Sequence, residues 1–469
     1  MKPTFTKICW VLLLSIPAFS AISQEITIAR PSRQQLAFQD LELGVFIHYS
    51  IDTYAATGAI QGTTSPAAFR PTNLDPEQWV LAAKALGATY VVLTARHEQG
   101  FCLWPTSTTD YSIKSSPYKN GKGDIVKEFV NACRKYGLKV GLYTAPWIDS
   151  HWDAIHLGYK GGPTAEINKL DDPVNFQLAL KKEKEQLREL MTNYGPLVFI
   201  WDDHFGRSDA LDSIPHGGKL REFYAALTQY AHSLQPDCLL LGADVEHVGN
   251  EEGYANYPFW NAVNTVDGTA YSVSKTYWWH HPNGGDPYGK IYRPQVATST
   301  LALSTGGWMW DGPRKPQPLQ RRIKSYDETI GRGSGMIINM PPDRSGRIPA
   351  DLVAAAKEMG EEIRRRFSKP VASSSRPAST QVISLGGPKA FNHVIAMENL
   401  QNGQKIAKYS IEAKIDGHWK LMVRGETIGH KHIDRFNTVT ATDLRFTVTQ
   451  SIAKPALMRN ISIFNVTEK

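Results

Sequence analysis

The sequence predicts an α/β protein: a (β/α)8-like barrel followed by a small C-terminal β-sandwich. Three observations carry this expectation. Short apolar runs alternate with helical patterns from about residue 44 to 340, a length that suits eight strand–helix units with insertions. The first such run continues as "FIHYSIDTY" (46–54), which is not the glycine-rich phosphate loop of a doubly wound sheet. After about residue 368 the pattern changes to short alternating segments typical of sandwich strands.

The elements follow in order. "LGVFIHYS" (43–50) reads as a strand. "DPEQWVLAAKALGA" (75–88) reads as a helix, with Asp75 as N-cap, Pro76 in the first turn and Gly87 near its end. "TYVVLTA" (89–95) is the next strand, "DIVKEFVNACRKYG" (124–137) a helix and "LKVGLYTA" (138–145) a strand. A long helix is expected from Asp172 to Asn193, with Phe176, Leu180, Leu187 and Met191 on one apolar face. "LVFIWDD" (197–203) is a strand built for burial on both faces. A helix near 218–234, the strand "CLLLGAD" (238–244) and the strand "GMIINMPP" (335–342) complete the barrel. The polar segment "SKPVASSSRPAST" (368–380) reads as a linker. Beyond it, 393–400, 408–415, 418–425, 444–451 and 460–466 read as strands of the sandwich. The expected organisation is thus 1–23 signal peptide, 24–368 barrel, 369–379 linker and 380–469 sandwich.

The first 23 residues have the form of an export signal. Lys2 and Lys7 precede the apolar run "ICWVLLLSIPAF" (8–19), which is too short to span a bilayer, and small residues follow in "SAIS" (20–23). A periplasmic or extracellular location follows from this reading. No later stretch is apolar enough for a membrane span. Loss of Lys2 and Lys7 would lower the net charge from +7 to about +5, and no basic cluster points to nucleic acid. Removal of Cys9 leaves Cys102, Cys133 and Cys238, an odd number without zinc-ligand spacing, best read as buried thiols. Twelve Trp and nineteen Tyr suit both a sugar-binding cleft and a large core.

His48, His97, Tyr143, Asp203 and Asp244 all fall just beyond expected strand ends. A barrel carries its active site at that face. One such acid could equally cap a following helix; five polar residues from separate strands make a site the better reading of the set.

The stretch 66–116, with "YGPLVFIWDD" (194–203), "VGNEEGYA" (248–255), "GGWMW" (306–310) and "INMPPDRSGRI" (338–348), resembles the α-L-fucosidase family, glycoside hydrolase family 29. The likeness covers about 35–368 and is greatest to the branch that cleaves α-1,3/4-linked fucose. The tail, with "ENLQNGQKIAKYSIEA" and "IGHKHIDRF", resembles a discoidin-like galactose-binding sandwich. The resemblance implies a retaining exo-glycosidase acting on terminal fucose of an oligosaccharide or polysaccharide, with two carboxyl groups and no cofactor or metal. It places the nucleophile at Asp203, two positions after Trp201, and the acid/base at Glu251. Asp202 is then read as structural and Glu252 as a solvated loop acid. His48 and His97 match histidines that hydrogen-bond the sugar. Trp201, His204, Glu98, Trp308 and Trp310 are counted with the sugar-contacting set, and Tyr143, Trp278 and Trp279 are further candidates.

The sequence departs from the family pattern where the sugar should be read. Gly58, Ala59 and Ile60 stand where the family has "EWG". His97–Glu98 replaces paired histidines, His204 replaces a glycine, and Thr305 replaces an arginine. Several changed contacts around unchanged carboxylates imply the same chemistry on an altered glycone. An α-L-galactoside or a sulfated or otherwise modified fucose are the alternatives. A reading of another class is a non-catalytic carbohydrate-binding protein on a degenerate barrel.

Overall fold

The computed structural model describes residues 27–56, 59–146, 148–156, 172–203, 217–265, 284–303 and 308–467. The export signal expected at 1–23 lies outside them, as do His204, Trp278, Trp279, Thr305 and Gly58.

The barrel begins with helix α1 (Arg33–Gln39) and strand β1 (Leu43–Ile47). Helix α2 (Pro76–Leu86) starts where Asp75 accepts from the Gln78 N–H and stops at Gly87, whose φ of +97° suits a residue without Cβ. Next come β2 (Tyr90–Thr94), α3 (Ile125–Tyr136), β3 (Lys139–Thr144) and α4 (Ser150–His156). Helix α5 (Pro173–Asn193) is capped by Asp172, which accepts from Val174 and Asn175. Then follow β4 (Phe199–Asp202), α6 (Gly217–Leu234) and β5 (Leu239–Leu240).

Here the expected alternation fails. From β5 to residue 300 the described residues hold no helix. They form β6 (Glu246–His247), β7 (Ala262–Val263), β8 (Ile291–Tyr292) and β9 (Gln295–Thr300). The stretch is rich in Gly, Asn and Pro, which favour turns over helix interiors. Helix α7 (Leu319–Thr329), β10 (Gly335–Asn339) and α8 (Ala350–Phe367) close the unit.

Eight strands form one parallel sheet in the order β5-β4-β3-β2-β1-β10-β9-β6. Just beyond the two end strands, Leu241 and Val245 form an isolated bridge, and the sheet curls into a barrel-like wall. Strand alternation sorts the side chains. Phe46, Val92, Tyr143, Phe199, Trp201 and Ile337 cluster on the inner face. Val45, Ile47, Val91, Leu142 and Ile200 pack outward against Trp79, Val80, Phe129 and Leu190 of the helices. Cys102, Cys133 and Cys238 are buried and free.

The C-terminal strands are β11 (Ala372–Ser374), β12 (Thr380–Glu398), β13 (Ile406–Ile415), β14 (His418–Gly425), β15 (His432–Ser451) and β16 (Met458–Phe464). The five expected segments fall on β12 to β16. Within the stretch read as a linker, Ala372–Ser374 instead pairs with Ile461–Ile463. All six strands form one antiparallel sheet in the order β11-β16-β12-β15-β13-β14. Strand β12 pairs with both β15 and β16 and bends at irregularities near residues 384–393. One core, including Phe391, Ile411, Phe446 and Ile461, draws on four of the strands.

This unit docks on the barrel's N-terminal end. Glu42, just before β1, takes Lys431 at 2.5 Å and His430 at 3.0 Å. Asp40 takes Arg459 at 2.6 Å. Burial opposes ionisation of Glu42, yet Lys431 and His430 hold its carboxyl down at about 2.

Candidate active site

The strand ends opposite the docked unit carry the expected polar residues. The inner-face alternation explains the pair at the end of β4. Trp201 and the residue two further on, Asp203, share the barrel-interior side, whereas Asp202 follows Ile200 toward the helices. Asp202 is buried, and its charge acts on the Tyr224 hydroxyl of α6.

Asp203 is held at both oxygens. The Tyr143 hydroxyl donates to Oδ2 at 2.5 Å and the Trp201 indole donates to Oδ1 at 3.1 Å. Its backbone N–H donates to the Thr144 carbonyl at 2.9 Å. Burial and then the charge of Asp203 push the Tyr143 hydroxyl well above its ordinary value. Tyr143 therefore remains a donor, and two donors on one carboxylate favour its charged form.

His48 lies 5.5 Å from Tyr143, 5.7 Å from His97 and 5.0 Å from Trp308, ring to ring. His97 stacks on Tyr143 at 5.1 Å and 9°. Burial, followed by the charge of His97, pushes His48 down to about 3, so its ring is neutral near pH 7. Its tautomer follows from the neighbours. Asn339 Nδ2 donates to the Trp308 carbonyl at 2.7 Å, which leaves Oδ1 as the acceptor 3.0 Å from His48 Nδ1. The proton sits on Nδ1, and Nε2 is an acceptor for a hydroxyl.

Glu251 stands in a loop shaped by its neighbours. Gly249 and Gly253 have φ of +92° and +78°, and a Cβ on Gly253 would press on Ser299 at 2.9 Å. Buried Asn250 donates to the Tyr254 carbonyl at 2.9 Å and accepts from the Glu252 N–H at 3.1 Å. The Trp308 indole donates to Glu251 Oε2 at 3.0 Å. Trp308, the donor to Glu251, lies 5.0 Å from His48, and His48 lies 5.5 Å from Tyr143, the donor to Asp203, so a chain of contacts links the two carboxyls.

Glu98, beside His97, accepts from Gln61 Nε2 at 3.0 Å. Burial and the charge of Glu98 raise Asp52 to about 7. The loop is anchored by Arg96, fully buried, which grips both oxygens of Glu183 at 2.8 and 2.9 Å and the Ala145 carbonyl at 2.7 Å.

Trp310 sits under the Arg344 guanidinium at 5.9 Å and lines a hollow of about 140 Å³ with Met309, Pro341 and Asp351. Asp244 is committed elsewhere: it bonds His232 at 2.9 Å and the Leu240 N–H at 2.9 Å, bracing α6 against β5. Asn339, Gln61, Asp52 and His247 were not singled out from sequence. Asn339 lies within "INMPPDRSGRI", and His247 directly precedes "VGN"; burial pushes His247 down to about 4, against the charge of Asp203. Among the described residues no group of three His, Cys, Asp or Glu is arranged to hold a metal, and no helix is long and apolar enough to cross a membrane.

A curled parallel sheet with carboxyls, histidines and tryptophans gathered near its strand ends is an arrangement that suits a glycoside hydrolase. The family model for alpha-L-fucosidase matches residues 63–366. Alpha-L-fucosidase 1 of Arabidopsis thaliana is 29% identical over 91% of this chain and 86% of its own. A crystal structure from Bacteroides thetaiotaomicron, assigned as an alpha-L-fucosidase, superposes with a TM-score of 0.79 at 33% identity, covering 94% of this chain and 100% of that one. A glycoside hydrolase 29 family member from a rumen bacterium gives 0.78 at 29% identity, covering 95% and 79%. The chain belongs to the alpha-L-fucosidase family.

Proposed function

We propose that the chain is an exported, retaining exo-glycosidase that removes terminal α-L-fucose from oligosaccharides by double displacement. The observation that carries this reading is the paired mounting of Asp203 and Glu251. Tyr143 and Trp201 fix the first; Trp308, which also packs on His48, fixes the second. Asp203 Oδ attacks the anomeric carbon while Glu251 protonates the departing oxygen. Glu251 then takes a proton from water as the water displaces Asp203 from that carbon. His48 accepts a sugar hydroxyl at Nε2, and the Trp308 ring offers an apolar wall to the pyranose. Glu252, facing solvent, supports the loop. Product analysis by NMR tests the mechanism: the first-formed sugar keeps the α configuration, and inversion would exclude Asp203 as nucleophile.

A second reading, the same chemistry on an α-L-galactoside, is favoured by Glu98. This carboxylate sits beside His97 and is steadied by Gln61. It suits an added hydroxyl donor and disfavours a sulfate. Aryl α-L-fucoside, α-L-galactoside and sulfated fucoside compared at equal concentration separate these glycones. Asp203-dependent turnover of any of them excludes a purely carbohydrate-binding role. For the C-terminal unit, docked away from the strand-end face, we infer a brace rather than a sugar-capturing module. A titration of the intact chain and a variant inactive at Asp203 against glycans tests this through the number of binding sites.

A further inference from the structure

The segment that carries Glu251 does not end at the site. It runs from the strand-end face to the opposite end of the barrel, where the C-terminal unit grips it. On the way, the Ala255 N–H donates to the Glu328 carbonyl at 2.8 Å, and Arg332 donates to the Ala255 carbonyl at 2.7 Å. A few residues beyond Glu251 the grip passes to the sandwich. The Glu426 N–H donates to the Tyr257 hydroxyl at 2.8 Å, and the Tyr257 ring stacks on His432 at 4.9 Å and 25°. The Phe259 N–H donates to Thr427 Oγ1 at 2.8 Å. Gln404 closes the clamp: its Nε2 donates to the Phe259 carbonyl at 2.8 Å, and its Oε1 accepts from the Asn261 N–H at 3.0 Å. Phe259, Asn261, Gln404 and Thr427 are each buried to within 2% of fully, so no water competes for these bonds.

Three of those contacts meet main-chain groups of the segment. Backbone groups buried without partners are costly, so the clamp fixes where the segment lies as well as that it is folded. By contrast Glu251 is exposed, and among its fixings is one indole on a neighbouring loop. From this geometry we infer that the C-terminal unit, through Thr427 and Gln404 and through its grip on Tyr257 of the segment, positions the Glu251 loop, so that these three are positioning residues for leaving-group protonation. The inference rests on the reading of Glu251 as the acid/base.

The test uses the full chain with Thr427→Ala and Tyr257→Phe, singly and together. Each removes one clamp contact without inserting bulk. For each folded variant, kcat/KM is measured on a fucoside with an acidic phenol as leaving group and on one with an alkyl or sugar leaving group. Misplacement of a catalytic group by about an ångström costs up to 100-fold. A partial loosening is therefore expected to slow the poor leaving group by about tenfold, and the acidic phenol by less than about twofold. Equal losses on the two substrates, or no loss on either in the double variant, overturn the clamp. Glu251→Gln serves as the control. If it shows no leaving-group dependence, the assignment of Glu251 has failed; if it does and the clamp variants do not, the positioning role alone has failed. Thermal unfolding of each variant separates a general loss of stability, which would lower both activities together.

Discussion

Trp308 donates its indole N–H to Glu251 at 3.0 Å while its ring lies 5.0 Å from the imidazole of His48. One side chain thus joins the loop that bears one carboxyl to the wall of the pocket that holds the other. Loss of the indole in Trp308→Phe keeps the apolar wall and removes the bond to Glu251. We expect activity to fall more on poor leaving groups than on good ones, read as the ratio of kcat/KM between the two.

Asp203→Asn removes the attacking carboxylate and is expected to lower kcat by on the order of 10^4-fold or more. Asp202→Asn, on the helix-facing side of the same strand end, is expected to keep most of the activity. Equal losses for the two variants would show that strand alternation does not separate their roles.

Glu251→Gln leaves attack by Asp203 in place but provides no proton. The loss on a natural glycan is expected to be about 10^2–10^4-fold, and far smaller with an aryl leaving group. Azide should restore turnover of Glu251→Ala by attacking the glycosyl-enzyme. If Glu252→Gln instead gave this pattern, the acid/base would be the other glutamate of the loop.

Tyr143→Phe removes the 2.5 Å bond to Asp203. A hydrogen bond to a charged group is worth about 1.5–3 kcal/mol, so a loss of about 10–100-fold in kcat/KM is expected. The lost bond favoured the carboxylate, so the acidic limb of the pH profile should move to higher pH. A limb that stays or moves down would contradict this arrangement.

His48 is held neutral with its pKa near 3, below the unfolded value of 6.5. Between these values the unfolded chain binds a proton that the folded chain refuses. The folded state therefore loses stability as pH falls from 6.5 toward 3. Urea midpoints at pH 7 and pH 4.5 should show a smaller acid-side drop in His48→Gln than in the parent chain. An equal drop would mean that His48 accepts its proton in the folded state.

Much of the barrel was legible because its signals are local. Asp75, Pro76 and Gly87 bound a helix through their own backbone chemistry, and "YVVLT" and "LVFIWDD" carry the unbroken apolar character of strands covered on both faces. The same period of two that makes a strand placed Asp203 with Trp201 and turned Asp202 away. The stretch from 245 to 300 was not legible as it folds, because its turns and two-residue strands are fixed by partners far along the chain. Nor did Ala372–Ser374 announce its pairing with β16, which depends on a neighbour almost ninety residues away in sequence.

By itself, the sequence determined much of the strand–helix alternation, the family resemblance and the position of Asp203, His48 and His97 near strand ends. Only the tertiary structure decided how those groups are tuned. The acceptor nitrogen of His48 depends on Asn339 and the Trp308 carbonyl. The orientation of the Asp203 carboxyl depends on donors from Tyr143 and Trp201. Asp244 was drawn into a brace between α6 and β5. The physical reason is that protonation and orientation depend on distances of a few ångströms between groups scattered over the chain. A sequence specifies local backbone preference directly, but it specifies such distances only through the packed fold.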